Sequence, residues 1–275
     1  AIPAGQPTFP ALLRNAGYAT SLIGKWHLGP TPENGPLAHG YEYFFGFLGG
    51  AIDYFTHEYM GEPALRSGKE IVRRKGYLTT ILADEAIQAI RKAIASRRPF
   101  AVSLHFNAPH WPWEGPEDSG LGTQGAHFDG GSLDVYAQMM ESLDRNIGRV
   151  LKELERSSVD RNTFVIFTSD NGGERFSDEW PFRGKKGLLL EGGIRVPAIV
   201  RFPERLPADK VSAQPSLTMD WMPTILDAAG IVRSKQPEMD GLSLLEPLAN
   251  GEVVPRTLFW RFQGHRQRAA RRGRW

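Results

Sequence analysis

Thr163-Phe164-Val165-Ile166-Phe167-Thr168-Ser169 is a short, almost wholly apolar run, and Asp170-Asn171-Gly172-Gly173 follows it without a break. A run of this length, rich in β-branched and aromatic residues and closed by a turn, reads as a central strand covered on both faces. In an open α/β sheet, ligands gather in the crevice outside the carboxyl ends of the strands, which places Asp170 and Asn171 to project into it. A carboxylate beside an amide carbonyl offers hard oxygens, which suit calcium or magnesium better than zinc. Calcium takes about six to eight oxygens, so further ligands come from elsewhere. An Asx turn ahead of a glycine pair is the competing reading of these four residues.

The same alternation of apolar runs and helical periods extends in both directions. Phe9 to Asn15 reads as a short helix ended by Gly17, with a strand from Tyr18 to Ile23. Leu78 to Ser96 carries Leu82, Ala86, Ile87, Ile90 and Ile94 at the spacing of an amphipathic helix, and Phe100 to Phe106 follows as a strand. Tyr136, Met140, Leu143, Ile147, Val150, Leu151 and Leu154 form the stripe of a second long helix, from Leu133 to Leu154, with Ser132 or Asp134 as its cap. Ile194 to Phe202 reads as a strand whose start Pro197 places at an edge or first position, and Asp220 to Ala229 as a helix ended by Gly230. The pattern predicts one large α/β domain with a mostly parallel central sheet flanked by helices on both faces.

Other loops at strand ends carry reactive side chains. In Gly24-Lys25-Trp26-His27-Leu28-Gly29 an extended chain points Lys25 and His27 to one side and Trp26 to the other. An ammonium and an imidazole on one wall bind an oxyanion and move a proton. Asn107-Ala108-Pro109-His110-Trp111-Pro112-Trp113 stiffens its loop with two prolines and walls His110 with tryptophans, a partly apolar setting of the kind that shifts a pKa. Arg183-Gly184-Lys185-Lys186-Gly187, leading into Glu191-Gly192-Gly193, brackets cations with glycines as an anion cradle does. The segment from Leu48 to Arg66, with Tyr54, Phe55, His57, Glu58 and Tyr59, reads equally as a substrate wall or as packing.

Composition narrows the partners. Lysine and arginine number 33 against 31 aspartates and glutamates, a balance that points to neither nucleic acid nor an anionic membrane. The tail from Arg261 to Trp275 is the local exception, with Arg261, Arg266, Arg268, Arg271, Arg272 and Arg274 around His265, and it reads as a solvated hairpin. No cysteine is present, which excludes disulfides and thiolate metal sites in this stretch. No apolar run approaches the roughly 18 residues of a membrane span. The chain does not begin with Met and is read as a fragment. A hard-cation pair combined with several cations and imidazoles at strand ends suits a tetrahedral oxyanion ester, and leaves sulfate and phosphate both open.

At these residues the chain resembles the type I sulfatase family. Gly17-Tyr18-Ala19-Thr20 running into Gly24-Lys25-Trp26-His27-Leu28-Gly29 resembles one family signature, and Thr168-Ser169-Asp170-Asn171-Gly172-Gly173-Glu174 resembles its metal-binding turn. Arg183-Gly184-Lys185-Lys186-Gly187 with Glu191-Gly192-Gly193 and Arg195-Val196-Pro197 resembles the segment after that turn. The resemblance implies an alkaline-phosphatase-like α/β fold and hydrolysis of a sulfate ester, carried by a small molecule or a glycan, at a formylglycine made from cysteine or serine. It implies calcium, or magnesium, with Asp170 and Asn171 as metal ligands and Lys25 and Lys186 on the sulfate. His27 is implied to hydrogen-bond the hydrated aldehyde, and His110 to donate toward the leaving-group oxygen. Lys186 is preferred to Lys185 because it directly precedes Gly187, as the family lysine precedes its glycine.

Three departures accompany the matches. The family's nucleophile motif is absent: there is no cysteine, and no serine is followed by the required Pro or Ala and Arg. Nothing before Phe9 resembles the paired aspartates that complete the family's metal site, and the family's smaller C-terminal subdomain lies beyond Trp275. These departures are read as truncation, so the nucleophile is expected upstream and the 275-residue chain alone is expected to be inactive. A phosphonate or phosphate diester hydrolase of the same superfamily, and a non-catalytic relative that binds sulfated glycans, are the competing readings. Members of the family work in the periplasm, outside the cell or in lysosomes, and nothing in the sequence selects among these or sets an oligomeric state.

Overall fold

A computed structural model describes residues 1–3, 5–118, 130–231, 238–262 and 266–275. His265 of the basic tail lies outside them. The chain divides into two compact units, one built on Ala1–Ser158 and the other on Val159–Gly230 with Glu238–Trp275. No helix among the described residues is long and apolar enough to cross a membrane.

The first unit opens with α1 (Phe9–Asn15), started by the Thr8 hydroxyl accepting from the Ala11 N–H at 3.4 Å. It continues through β1 (Ala19–Lys25), β2 (Tyr43–Phe47), the two-residue hairpin β3 (Glu58–Tyr59) and β4 (Glu62–Pro63), and β5 (Arg66–Ser67) with β6 (Glu70–Ile71). It then runs through α2 (Leu78–Ala95), β7 (Phe100–His105) and α3 (Leu133–Arg156). The sheet order is β6-β5-β2-β1-β7. β1 runs parallel to both β2 and β7, while β5 and β6 add antiparallel pairs at the far edge, so the sheet is mixed and its centre parallel.

The buried central strand is β1, whose interior residues from Thr20 to Gly24 are all buried. Its side chains alternate between two cores, as the period of a strand requires. Ile23, with Phe45 and Phe47 of β2, joins Leu78, Leu82 and Ala86 of α2 and Met139 of α3, while Leu22 joins Trp26, Tyr41 and Phe44. Each such apolar side chain contributes about 1.5–3 kcal/mol by leaving water. α2 falls where its periodicity predicts, with Leu82, Ala86 and Ile90 buried.

α3 buries Leu143 and Leu154 of the predicted stripe and packs Ile147 and Val150 on the core, but departs from it at Met140. Met139 is fully buried and Met140 is 41% exposed, and Ser142 and Asn146 join Leu143 on the inner face. Asn146 is tolerated there because its amide donates to the Ser142 carbonyl at 2.8 Å. Of the two candidate caps, Ser132 takes the role, accepting from the Val135 N–H at 3.2 Å.

The second unit holds β8 (Val165–Thr168), the single turn α4 (Glu191–Ile194), β9 (Ala198–Arg201), α5 (Trp221–Ala228), α6 (Leu245–Asn250) and the hairpin β10 (Thr257–Phe262) with β11 (Gln267–Arg272). Here one expectation is corrected. β8 pairs with β9 in a two-stranded antiparallel ladder, and Phe167 is 38% exposed. The apolar run from Thr163 to Ser169 is therefore not covered on both faces, because apolar composition records a demand for burial without supplying the second neighbour. The strand predicted from Ile194 begins later, at Ala198, after α4 and immediately beyond Pro197. Asp220, fully buried, ties the unit together: it accepts from Leu217 N at 2.7 Å and Leu242 N at 3.0 Å and pairs with Arg256 at 2.7 Å.

Candidate functional site

In the first unit the reactive loops leave adjacent parallel strands at the same edge. The register pairs Gly24 with His105, so the segments after β1 and after β7 emerge side by side at the carboxyl ends. Gly24 sits at φ +111°, and a Cβ there would overlap the carbonyl oxygen of His105, so only glycine lets the two strands close at this level. His105, which the sequence reading left unremarked inside the strand from Phe100 to Phe106, holds the Lys25 carbonyl through Nδ1 at 3.0 Å.

The segment from Lys25 to His27 continues the backbone pairing beyond the strand. The Trp26 and His27 N–H groups donate to the carbonyls of Phe47 and Leu48 at 3.0 and 3.1 Å, and Trp26 is buried with its indole N–H on the Asn34 carbonyl at 2.9 Å. His27 itself lies in the left-handed region at φ +56°, where the chain turns away from the strand. Its exposed imidazole lies over Gly50, where an added Cβ would come within 2.7 Å of Nε2.

His110 sits on the loop after β7. Its N–H donates to the Asn107 carbonyl at 2.7 Å, its Nδ1 meets the Trp111 carbonyl at 2.8 Å, and its carbonyl accepts from the Tyr54 hydroxyl at 2.9 Å. Tyr54 is fully buried and His57 is 3% exposed, so these two members of the Leu48–Arg66 segment are packing, whereas Tyr59 is 41% exposed. Burial pushes the Tyr54 phenol well above its ordinary value and the His57 imidazole down.

In the second unit the structure joins two segments that the sequence separates. The Gly172 N–H donates to the Gly193 carbonyl at 3.0 Å, the Lys186 N–H to the Gly173 carbonyl at 2.8 Å, and the Gly192 N–H to the Arg183 carbonyl at 2.8 Å. The turn from Asp170 to Gly173 and the cradle from Arg183 to Gly193 thus share one backbone network. A Cβ on Gly172 would overlap the Gly192 carbonyl oxygen, so that network requires glycine.

Side chains missed in the sequence support it. Glu179 accepts from the Gly173 N–H and the Ser177 hydroxyl, both at 2.7 Å. Gln267 of β11 clamps the cradle, accepting from the Leu189 N–H at 2.8 Å and donating to the Gly187 carbonyl at 3.0 Å. A carboxylate six residues past a glycine turn carries some local signal. A glutamine 78 residues from its partner carries none.

Asp170 is exposed and Asn171 half-buried, the latter donating through Nδ2 to the Gly172 carbonyl at 2.9 Å. With the amide nitrogen so engaged, the oxygen is the group presented, and carboxylate plus amide oxygen is a donor set that fits a hard cation. No cluster of three or more His, Cys, Asp or Glu suited to a metal occurs among the described residues. Lys186 is half-buried with Nζ 4.0 Å from Glu174 Oε2, whereas Lys185 is exposed. The six candidate residues therefore divide evenly: Lys25, His27 and His110 belong to the first unit, and Asp170, Asn171 and Lys186 to the second.

Comparison with known proteins is consistent across sequence and structure. Residues 1–231 match the family model described as Sulfatase. The N-acetylgalactosamine-6-sulfatase of Canis lupus familiaris is 32% identical over 277 residues, which cover 94% of this chain and 52% of that protein. The uncharacterized sulfatase YdeN of Escherichia coli (strain K12) is 32% identical over 273 residues, covering 89% and 47%. The crystal structure of Ps i-CgsB in complex with k-i-k-neocarrahexaose superposes with a TM-score of 0.86 at 28% identity, covering 100% of this chain and 65% of that one. The chain spans about half the length of the curated relatives it matches. With the family model described as Sulfatase matching residues 1–231, and relatives about one-third identical over most of its length, the chain belongs to the sulfatase family.

Proposed function

We propose that the whole protein hydrolyses a sulfate ester carried by a glycan, with calcium as the metal and an aldehyde nucleophile derived from cysteine or serine. The observation that carries this reading is the backbone network that holds the Asp170-Asn171 oxygens and Lys186 in one rigid piece of the second unit. A cation ligand pair and an ammonium fixed together suit an ester with several equivalent anionic oxygens. The glycan follows from the relatives, an N-acetylgalactosamine-6-sulfatase and a protein bound to a carrahexaose.

When bound, the cation withdraws charge from the sulfate oxygens. Asp170 and Asn171 are assigned as two of its ligands. Lys186 and Lys25 neutralise the remaining oxygen charge, each as a strongly hydrated ammonium that must shed water to do so. His27 holds and moves a proton at the nucleophile. His110 delivers a proton to the leaving-group oxygen, assigned to Nε2 because Nδ1 is turned to the Trp111 carbonyl.

The test is release of inorganic sulfate from sulfated oligosaccharides by the whole protein, with and without a calcium chelator, beside the corresponding phosphate esters. Calcium-dependent sulfate release with a kcat/KM above that for phosphate is expected. Equal rates after chelation, or a preference for the phosphate ester, overturn the reading.

A further inference from the structure

Beneath the His110 loop the first unit buries a pair of acids to which the reaction assigns no role. Asp53 is 3% exposed and Glu114 is 6% exposed, and their side chains hydrogen-bond each other. Two carboxyls in contact and out of water resist ionising together, because desolvation and mutual repulsion each favour keeping one proton between them. Burial first, and then the charges of Asp53 and Asp118, push the Glu114 carboxyl up to about 7, against a downward pull from the Tyr54 N–H.

Each acid anchors a different stretch of chain. Asp53 Oδ1 accepts from the N–H groups of Phe55 and Thr56 at 2.8 and 2.7 Å and so fixes the turn that carries Tyr54. Glu114 Oε2 accepts from the Tyr54 N–H at 3.0 Å, and the Glu114 carbonyl accepts from the Tyr77 hydroxyl at 2.8 Å. Tyr54 stacks on Tyr77 with ring centroids 5.2 Å apart, and its hydroxyl reaches the His110 carbonyl. A continuous route therefore runs from the acid pair through one rigid ring to the backbone of His110.

We propose that Asp53 and Glu114, sharing one proton, are positioning residues that hold His110 in place through Tyr54, and that loss of the shared proton releases it. The proposal rests on the assignment of His110 to the leaving-group oxygen. With both acids ionised the pair repels, and because one is tied to the turn at 53–56 and the other to the loop at 107–114, the two stretches part and the Tyr54 hydroxyl moves with its turn. The other titratable groups facing the pair are Asp118, His57, Tyr54 and Tyr77. Burial raises both phenols and lowers His57, so these three stay neutral as Glu114 titrates. Asp118 is the remaining carboxyl nearby, accepting from the Gly115 N–H at 2.7 Å.

The experiment measures kcat against pH for the whole protein on two esters, para-nitrophenyl sulfate, whose leaving group needs no proton, and a sugar sulfate, whose leaving group does. The ratio of the two rates cancels steps common to both. In the wild type the sugar-to-aryl ratio is expected to fall as pH rises through about 7. Glu114→Gln keeps an acceptor for the Tyr54 N–H and a donor for Asp53 but has no proton to lose, so the part of the fall that belongs to the acid pair is expected to vanish and only the part due to ionisation of His110 itself to remain. Glu114→Ala is expected to lower the ratio about tenfold or more on the acidic side, with KM little changed. His110→Ala separates the two claims. If it slows both esters equally, the assignment of His110 fails. If it lowers the ratio while Glu114→Gln still shows the wild-type fall, the assignment stands and the positioning proposal is overturned.

Discussion

The backbone N–H of Lys186 donates to the carbonyl of Gly173 at 2.8 Å, joining the residue assigned to sulfate to the turn assigned to the metal. Neither can shift alone. A change that loosens one backbone is felt at the other, so metal affinity and substrate binding are expected to fall together when this network is disturbed.

Gly172→Ala tests that coupling directly. The new Cβ overlaps the Gly192 carbonyl oxygen and crowds Gly193, and these are backbone atoms inside the network with no side chain to swing aside. A loss of roughly 1–3 kcal/mol of stability is expected, together with weaker metal binding. Gly148→Ala is the contrast, since a Cβ there meets nothing within 4 Å and the site lies within α3. A rise of roughly 0.5–1 kcal/mol is expected from helix propensity. Thermal unfolding of the two variants of the whole protein measures the difference.

Asp170→Ala is expected to abolish calcium-dependent turnover while the melting temperature of the calcium-free protein changes little. The side chain is exposed, so its removal leaves no cavity and strands no buried partner. Calcium titration by calorimetry checks the first half, and unfolding in chelator the second.

Gln267→Ala removes two hydrogen bonds, at 2.8 and 3.0 Å, that hold the stretch from Gly187 to Leu189 just past Lys186. A cost of roughly 1–3 kcal/mol is expected, concentrated in the cradle. The kinetic signature is a higher KM for the sulfate ester, with calcium affinity less affected. Steady-state kinetics beside a metal titration separates these effects.

Stability should depend on pH through Glu114. Its folded value is raised from 4.5 to about 7, so the folded protein keeps a proton that the unfolded chain releases. That contribution is present in full below about 4.5 and is lost as pH rises through about 7. The difference across this window is on the order of 3 kcal/mol. Glu114→Gln is expected to unfold with a smaller pH dependence between those limits. Melting curves of the whole protein and the variant across that range measure it.

Much of the fold was legible in the sequence because it is encoded locally. α1 and α2 fall where the glycine stop and the apolar periodicity place them, and the strand after Gly17 and the strand before Asn107 stand close to where they were read. The hairpin read into the basic tail is present as β10 and β11, with Arg261 opposite Arg268. The choice between two adjacent methionines of α3 was not legible. Met139 and Met140 are chemically equal candidates for the inside, and only the position of α2 and the sheet chooses between them.

The opening stretch from Thr163 to Gly173 marks the division between the two kinds of information. By itself the sequence determined that this stretch is a strand ending in a hard-oxygen turn, and that glycine-bracketed cations follow, since those are properties of residue type and short spacing. Only the tertiary structure decided that the strand pairs antiparallel with β9, that Gly172 packs on Gly192, that Gln267 clamps the lysine cradle and that Glu114 reaches the Tyr54 N–H. Those relations depend on which distant groups meet once water is excluded. Composition and periodicity state the need for a partner, and the folded chain selects it.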